Sequence, residues 1–174
     1  MMRPLKKTEF DAFYSLLEAS FPPDEYRACD GQRRLLDDRA YHPYVLADEH
    51  NALHGLVTVW DFDSFAYIEH LAVAPELRCG GRGASLLQAA FDLHPKRFCL
   101  EVEPPETELA RRRIGFYERN GLHLNAEYAY TQPSLGAGRR PIPLLLMTSG
   151  GAAAPETLDH IRDTLYARVY HCKT

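Results

Sequence analysis

Residues 71 to 91, LAVAPELRCGGRGASLLQAAF, join an apolar strand-like run to an amphipathic helix through a turn with almost no side chains. Glycines at 80, 81 and 83 permit left-handed backbone and close approach to whatever the turn holds. At a helix start such a turn directs N–H groups outward, toward an anion and above all a phosphate. Arg78 and Arg82 can add charge-assisted bonds to it. A Walker loop is excluded, because Gly83 is followed by Ala84 and Ser85 where Lys and Ser/Thr are needed. A dinucleotide fingerprint fails as well: position 86 is Leu in place of the third glycine, and the glycines sit beyond Pro75, several residues past the strand.

Periodicity around this turn predicts a mixed α/β chain with a largely antiparallel start. A short strand at RPLKK leads into a helix at TEFDAFYSLLEASF, with Thr8 as expected N-cap and Pro22-Pro23 as its stop. A second helix is expected over about 30 to 40, then strands at YVLAD, LHGLVTVWDF and FAYIEHLAVA joined by short polar turns. After the glycine turn come the strand RFCLEVE and the helix ETELARRRIGFYERNG, ended by Asn120-Gly121. LHLNAEYAYTQ and IPLLLMTS read as two further strands, and APETLDHIRDTLYARVYH as a terminal helix with Leu158, Ile161, Leu165 and Val169 on one face.

Composition narrows the function classes. At 174 residues the chain is expected to form one domain, and its longest apolar run, IPLLLM, is too short to span a bilayer. A net charge of −4 argues against a nucleic-acid partner and favours a cationic one. No secretory signal is visible, and the cysteines at 29, 79, 99 and 172 form no CxxC pair, which predicts reduced thiols and a cytoplasmic setting. His50 and His54 have helical metal spacing but straddle a predicted turn, so no metal is expected. Asp61 and Asp63 read as turn residues, and the arginines at 111 to 113 as a solvated helix face.

A second stretch chooses among phosphate binders. FYERNGL at 116 to 122 has the form Phe-Tyr-x-x-x-Gly-hydrophobic, on a helix that follows the Arg-x-x-Gly-x-Gly turn. Together with EHLAVAPELRCGGRGASLL it resembles the GCN5-related N-acetyltransferase superfamily. FPPDEYR, WDFDSF, LEVEPP, YTQP and PLLLM are similar to a bacterial subgroup of undefined substrate. The resemblance implies a twisted, mostly antiparallel sheet of about six or seven strands flanked by helices, over residues 1–150, with 151–174 as a helical extension packed on the same domain. It implies acetyl-CoA as co-substrate, held by Leu71, Ala72 and Val73 and by the turn residues Arg78, Cys79, Gly80, Gly81, Arg82, Gly83, Ala84 and Ser85. The acceptor is expected to be a primary amine of a small molecule or peptide, and the chain a monomer or homodimer.

Acetyl transfer needs a neutral amine, a stabilised oxyanion and a proton for the departing thiolate. Neutralising an alkylamine at pH 7 costs roughly 4 to 5 kcal/mol, so a base or a relayed water path is useful. By resemblance Tyr117 is the general acid; a phenol of ordinary pKa, about 10, lies within a unit or two of an alkylthiol. Backbone N–H groups near Leu71 to Val73 are expected to meet the oxyanion. Strand alternation puts Tyr67, Glu69 and Leu71 on one face, and polyamine acetyltransferases carry a Glu at the matching place, which makes Glu69 the first candidate base. Glu101 matches a base position of ribosomal-protein N-terminal acetyltransferases and is the second. A catalytically silent acyl-CoA-binding module with a protein partner is the alternative reading.

Overall fold

The computed structural model describes residues 2–77 and 80–172. They carry eight strands and five α-helices, and the chain divides into two compact units, Met1–Lys96 and Arg97–Thr174.

In the first unit, β1 (Met2–Pro4), β2 (Tyr41–Ala47), β3 (Leu53–Asp61) and β4 (Phe65–Val73) form an antiparallel run in chain order. The helix α1 (Phe10–Ser20) lays Phe10, Phe13 and Leu17 on Val45, Leu56 and Ala72, the central cluster of this unit. Burying each such side chain contributes about 1.5–3 kcal/mol. Thr8 is not the cap of this helix: it lies in a 3-10 turn, Lys7–Glu9, and Glu9 occupies the cap position. The Glu9 carboxylate accepts from Arg3 at 2.8 and 2.7 Å and from the Lys6 N–H at 3.1 Å, which fixes the entry to the helix. The next helix is shorter than its periodicity predicts, with α2 at Cys29–Arg34 followed by a 3-10 turn, Leu35–Asp37. The fourth strand leads through another 3-10 turn, Pro75–Leu77, toward α3 (Arg82–Leu93).

A bulge interrupts β4. Thr58 pairs with His70 and Val59 with Ile68, so Glu69 is the extra residue with no residue opposite it. Strict alternation therefore fails here. Tyr67, opposite Trp60, shares its face with His70 and Ala72, whereas Leu71, opposite Val57, points to the other side. The first face is the one that α1 covers; α3 packs on the second, where a Cβ on Gly55 would meet Leu86 at 3.6 Å. Glu69 bonds the Trp60 indole and so belongs with Tyr67 and not with Leu71.

In the second unit, β8 (Ile142–Ser149) is the centre. It pairs antiparallel with β5 (Arg97–Val102), β6 (Leu122–Leu124) and β7 (Tyr130–Gln132). The stretch LHLNAEYAYTQ is thus two strands and not one. Asn125 breaks it: its Nδ2 donates to the Leu146 carbonyl at 3.2 Å and to Thr148 Oγ1 at 3.1 Å, while its Oδ1 accepts from the Ala153 N–H at 3.0 Å. The helix α4 (Glu108–Arg119) is capped by Thr107 and followed by Gly121 at φ 85°, as its Asn-Gly end predicts. The terminal helix α5 (Pro155–Arg168) lies in this unit, and its Leu158, Ile161 and Leu165 are buried.

Candidate active site

The glycine turn has the geometry of an anion site. Gly80 and Gly81 have φ of 94° and 75°, and Gly81 is the N-cap of α3 with no side-chain hydrogen bond to the helix. The bond from the Ser85 N–H to the Gly81 carbonyl, 2.9 Å, opens the α-helical ladder. The amides of Arg82, Gly83 and Ala84 precede that bond and point along the positive end of the helix dipole. The contrast with α4 is chemical, since there Thr107 Oγ1 takes the Ala110 N–H at 3.0 Å. A β-side chain at Gly80 or Gly81 would meet nothing within 4 Å, so the glycines serve backbone conformation and leave space for a ligand. Gly83 differs, because it lies inside α3 with helical backbone. Arg82 and Ser85 are exposed, and Leu71 and Ala84 partly so, while Ala72 and Val73 are buried. Arg78 and Cys79 lie outside the described residues.

Glu69 sits in a buried polar cluster of the same unit. Its Oε1 is 2.5 Å from Arg27 Nη1 and its Oε2 accepts from the Trp60 indole at 2.9 Å; the Glu69 side chain is 3% exposed. Burial pushes the carboxyl pKa up, but the Arg27 charge, His70 and the indole bond outweigh it and hold it below its ordinary value. Beside it, His70 donates Nε2–H to the Glu25 carbonyl at 2.9 Å and accepts at Nδ1 from Thr58 at 3.2 Å. Burial keeps this imidazole's pKa low, against the pull of Glu69. Arg27 and Trp60 escape sequence reasoning, because FPPDEYR and WDFDSF carry no spacing that announces a buried ion pair.

Tyr117 belongs to the second unit. With Ala110 and Ile114 it forms the buried face of α4, and its ring lies 5.1 Å from that of Phe116. Burial raises the phenol to about 12, tempered by the Arg113 charge. That is further from an alkylthiol than the ordinary value of a phenol, and the phenol is fully protonated at neutral pH.

Glu101 is held from two elements of the second unit. Tyr130 on β7 donates to Oε1, and Tyr170, beyond the end of α5, donates to Oε1 at 2.9 Å and Oε2 at 2.8 Å. Burial, followed by the negative charge of Glu101, drives the Tyr130 phenol far above its ordinary range. Neither tyrosine is marked in the sequence, where YTQ and RVYH read as strand and helix end.

The lesser candidates are engaged elsewhere. Asp61 contacts Lys96 at 2.5 Å and His94 Nδ1 at 3.1 Å, and His94 Nε2 meets the Tyr44 hydroxyl at 2.9 Å. His54 bonds Asp48 at 2.9 Å, and no group of His, Cys, Asp and Glu among the described residues is placed to hold a metal. No helix among the described residues is long and apolar enough to cross a membrane.

Known proteins match this architecture. An acetyltransferase of the GNAT family from Bacteroides thetaiotaomicron, so named provisionally, is 35% identical and covers 99% of both chains with a TM-score of 0.88. YjbC of Bacillus subtilis strain 168, also named provisionally as an acetyltransferase, is 26% identical over 157 residues, 87% of this chain and 78% of its own length. A spermidine N-acetyltransferase SpeG chimera from Vibrio cholerae and hSSAT shares the fold at 20% identity, with a TM-score of 0.64 over 86% of this chain and 93% of its own. The acetyltransferase (GNAT) family matches residues 10–122, from α1 through the Tyr117 helix to the start of β6. With the uncapped glycine turn between those bounds and a 35%-identical relative along its whole length, the chain belongs to the GNAT family of acetyl-CoA-dependent N-acetyltransferases.

Proposed function

We propose that the protein transfers the acetyl group of acetyl-CoA to a primary amine of a small molecule or peptide by direct attack. The uncapped N-terminus of α3, behind two left-handed glycines, carries this reading. Its free amides and the Arg82 guanidinium suit the pyrophosphate of CoA, with Leu71 to Val73 along the pantetheine and acyl group.

The amine nitrogen attacks the thioester carbonyl carbon, a C–N bond forms, the C–S bond breaks, and the amine proton leaves through water toward a carboxylate. Tyr117 meets the departing sulfur. With its phenol at about 12 and an alkylthiol near about 8.5, full proton transfer in the resting site is uphill by roughly 5 kcal/mol. Tyr117 therefore acts first as a hydrogen-bond donor to the growing negative charge and gives up its proton only as the thiolate forms. The proton arriving from the amine restores the phenol. Glu69, an anion of weakened proton affinity, suits a relay better than a final acceptor; Glu101 is the second carboxylate.

A thiol-release assay over a panel of alkylamines, polyamines and peptide N-termini tests the proposal. Saturable thiol release with at least one amine is expected. Acetyl-CoA binding by calorimetry without turnover of any amine would replace it with the silent acyl-CoA-binding module.

A further inference from the structure

Gln32 is buried at a cost that its own bonding does not offset. It lies in α2 at 0% exposure, and its Nε2 donates to the Tyr41 hydroxyl at 2.7 Å. Its Oε1 meets no hydrogen-bond partner among the described residues. A carboxamide taken out of water with one end unbonded is destabilising, and an apolar side chain of similar length would fill the space without that penalty. The one bond it makes is what remains to account for its place.

Tyr41 carries that bond to Trp60. The two residues pair across β2 and β3, their ring centroids lie 5.1 Å apart, and Phe62, just beyond β3, stacks on the indole at 6.2 Å. Trp60 is fully buried between them. Braced in this way, its Nε1–H is aimed at Oε2 of Glu69 and donates to it at 2.9 Å.

The two oxygens of Glu69 thus have different holders. Oε1 meets Arg27 Nη1, from the segment after α1, at 2.5 Å, and Oε2 meets the indole. The other titratable groups facing this carboxylate are His70, whose Nδ1 lies 3.9 Å from Oε2, and the Tyr41 phenol. Burial, then the Glu69 charge, drives that phenol far above its ordinary range, so it stays protonated. Arg27 supplies countercharge. The indole supplies direction, because one N–H occupies one lone pair of Oε2 and leaves the other at a set angle. A proton arriving through water needs an acceptor lone pair held in place.

We propose that Trp60 is a positioning residue for the proton relay: braced by Tyr41 and Gln32, its indole orients Oε2 of Glu69 so that the carboxylate takes up the amine proton through water and passes it on. This rests on the acetyl-transfer reading above and adds to it the side chains that aim the relay. The amine N–H bond breaks as water takes the proton, water gives one to Oε2, and Glu69 returns to its anionic form as it hands that proton on.

The test uses the full chain labelled with ¹³C at the Glu carboxyls and titrated by NMR, together with turnover of n-butylamine and of the weakly basic p-anisidine. Trp60→Phe keeps a ring and removes the donor. Glu69 should then titrate at higher pH than in wild type, because its charged form has lost a bond. The kcat for n-butylamine should fall roughly tenfold, equivalent to about 1.4 kcal/mol, with acetyl-CoA affinity unchanged. Turnover of p-anisidine, already uncharged at neutral pH, should fall far less. Gln32→Met combined with Tyr41→Phe conserves shape and leaves the indole present but unbraced; it should move both readings in the same direction by a smaller amount. A purely structural role would lower turnover of both amines alike and leave the Glu69 titration where it was. An unmoved Glu69 titration in both variants, or a moved titration with unchanged kcat for n-butylamine, overturns the inference. No turnover of any amine by wild type removes the acetyl-transfer reading and the relay with it, whereas an unmoved titration in an active enzyme removes only the role given to Trp60.

Discussion

Arg27 Nη1 and Glu69 Oε1 lie 2.5 Å apart with both side chains almost wholly out of water, at 9% and 3% exposure. The pair joins the segment after α1 to the bulge of β4, and the Arg27 guanidinium also sits 5.9 Å from the Trp60 ring. Breaking such a pair leaves an uncompensated buried charge, which costs about 3–5 kcal/mol. Glu69→Gln should therefore destabilise the protein by that order in urea melts, and Arg27→Met with Glu69→Gln should recover part of the loss. Equal stability of wild type and Glu69→Gln would remove the ion pair as a structural element. Any loss of activity in Glu69→Gln has to exceed the unfolded fraction before it reports on proton relay.

Acid sensitivity follows from the same cluster. His70 and Glu69 both have folded pKa values below their ordinary 6.5 and 4.5. In each case the unfolded chain takes up a proton before the folded one does, so stability falls as pH drops. The His70 contribution is complete above pH 6.5 and erodes below it; the Glu69 contribution is complete above 4.5 and erodes below that. Chemical denaturation across this range should show two declining stages, the first abolished in His70→Gln.

The glycines of the turn should separate by mechanism. Gly81→Val places a β-branched residue at φ 75° and should cost about 1–3 kcal/mol of stability together with at least tenfold in acetyl-CoA affinity. Gly83→Val carries no left-handed strain, and its effect should fall on acetyl-CoA affinity far more than on stability. Wild-type affinity by calorimetry in both variants would move the pyrophosphate away from this turn.

Tyr117→Phe keeps the packed ring and removes the donor. It should lower kcat by about 10²- to 10⁴-fold while acetyl-CoA affinity stays within a few-fold. Full turnover would mean that the thiolate leaves with a water proton or unaided.

Asn125 holds the start of the C-terminal segment through the Ala153 N–H. Asn125→Ala strands that partly buried donor, a cost of about 1–3 kcal/mol, while the Thr148 hydroxyl keeps its bond to the Gly151 carbonyl at 3.1 Å. Amide exchange in α5 should accelerate by an order of magnitude or more.

The local features were legible because they depend on neighbours in sequence. The glycine turn, the amphipathic stripes of α1, α3 and α4, and the Asn120-Gly121 stop are backbone preferences and periodicities that short windows carry. The family resemblance came from the same windows, FYERNGL and the turn before it. Periodicity ran out at Glu69, because a bulge is fixed by the register of the opposite strand and leaves no mark in FAYIEHLAVA. It ran out again at Asn125, where what reads as one strand divides and the side chain bonds Leu146, Thr148 and Ala153, partners far along the chain. The partners of both candidate carboxylates were equally invisible: Arg27 stands 42 residues from Glu69, and Tyr170 stands 69 from Glu101. The sequence determined that there would be a glycine turn, a tyrosine on a helix and acidic strand residues; only tertiary packing decided that Glu69 meets a guanidinium and an indole and that Glu101 meets the hydroxyls of Tyr130 and Tyr170, because those contacts are made between segments whose separation along the chain no local pattern encodes.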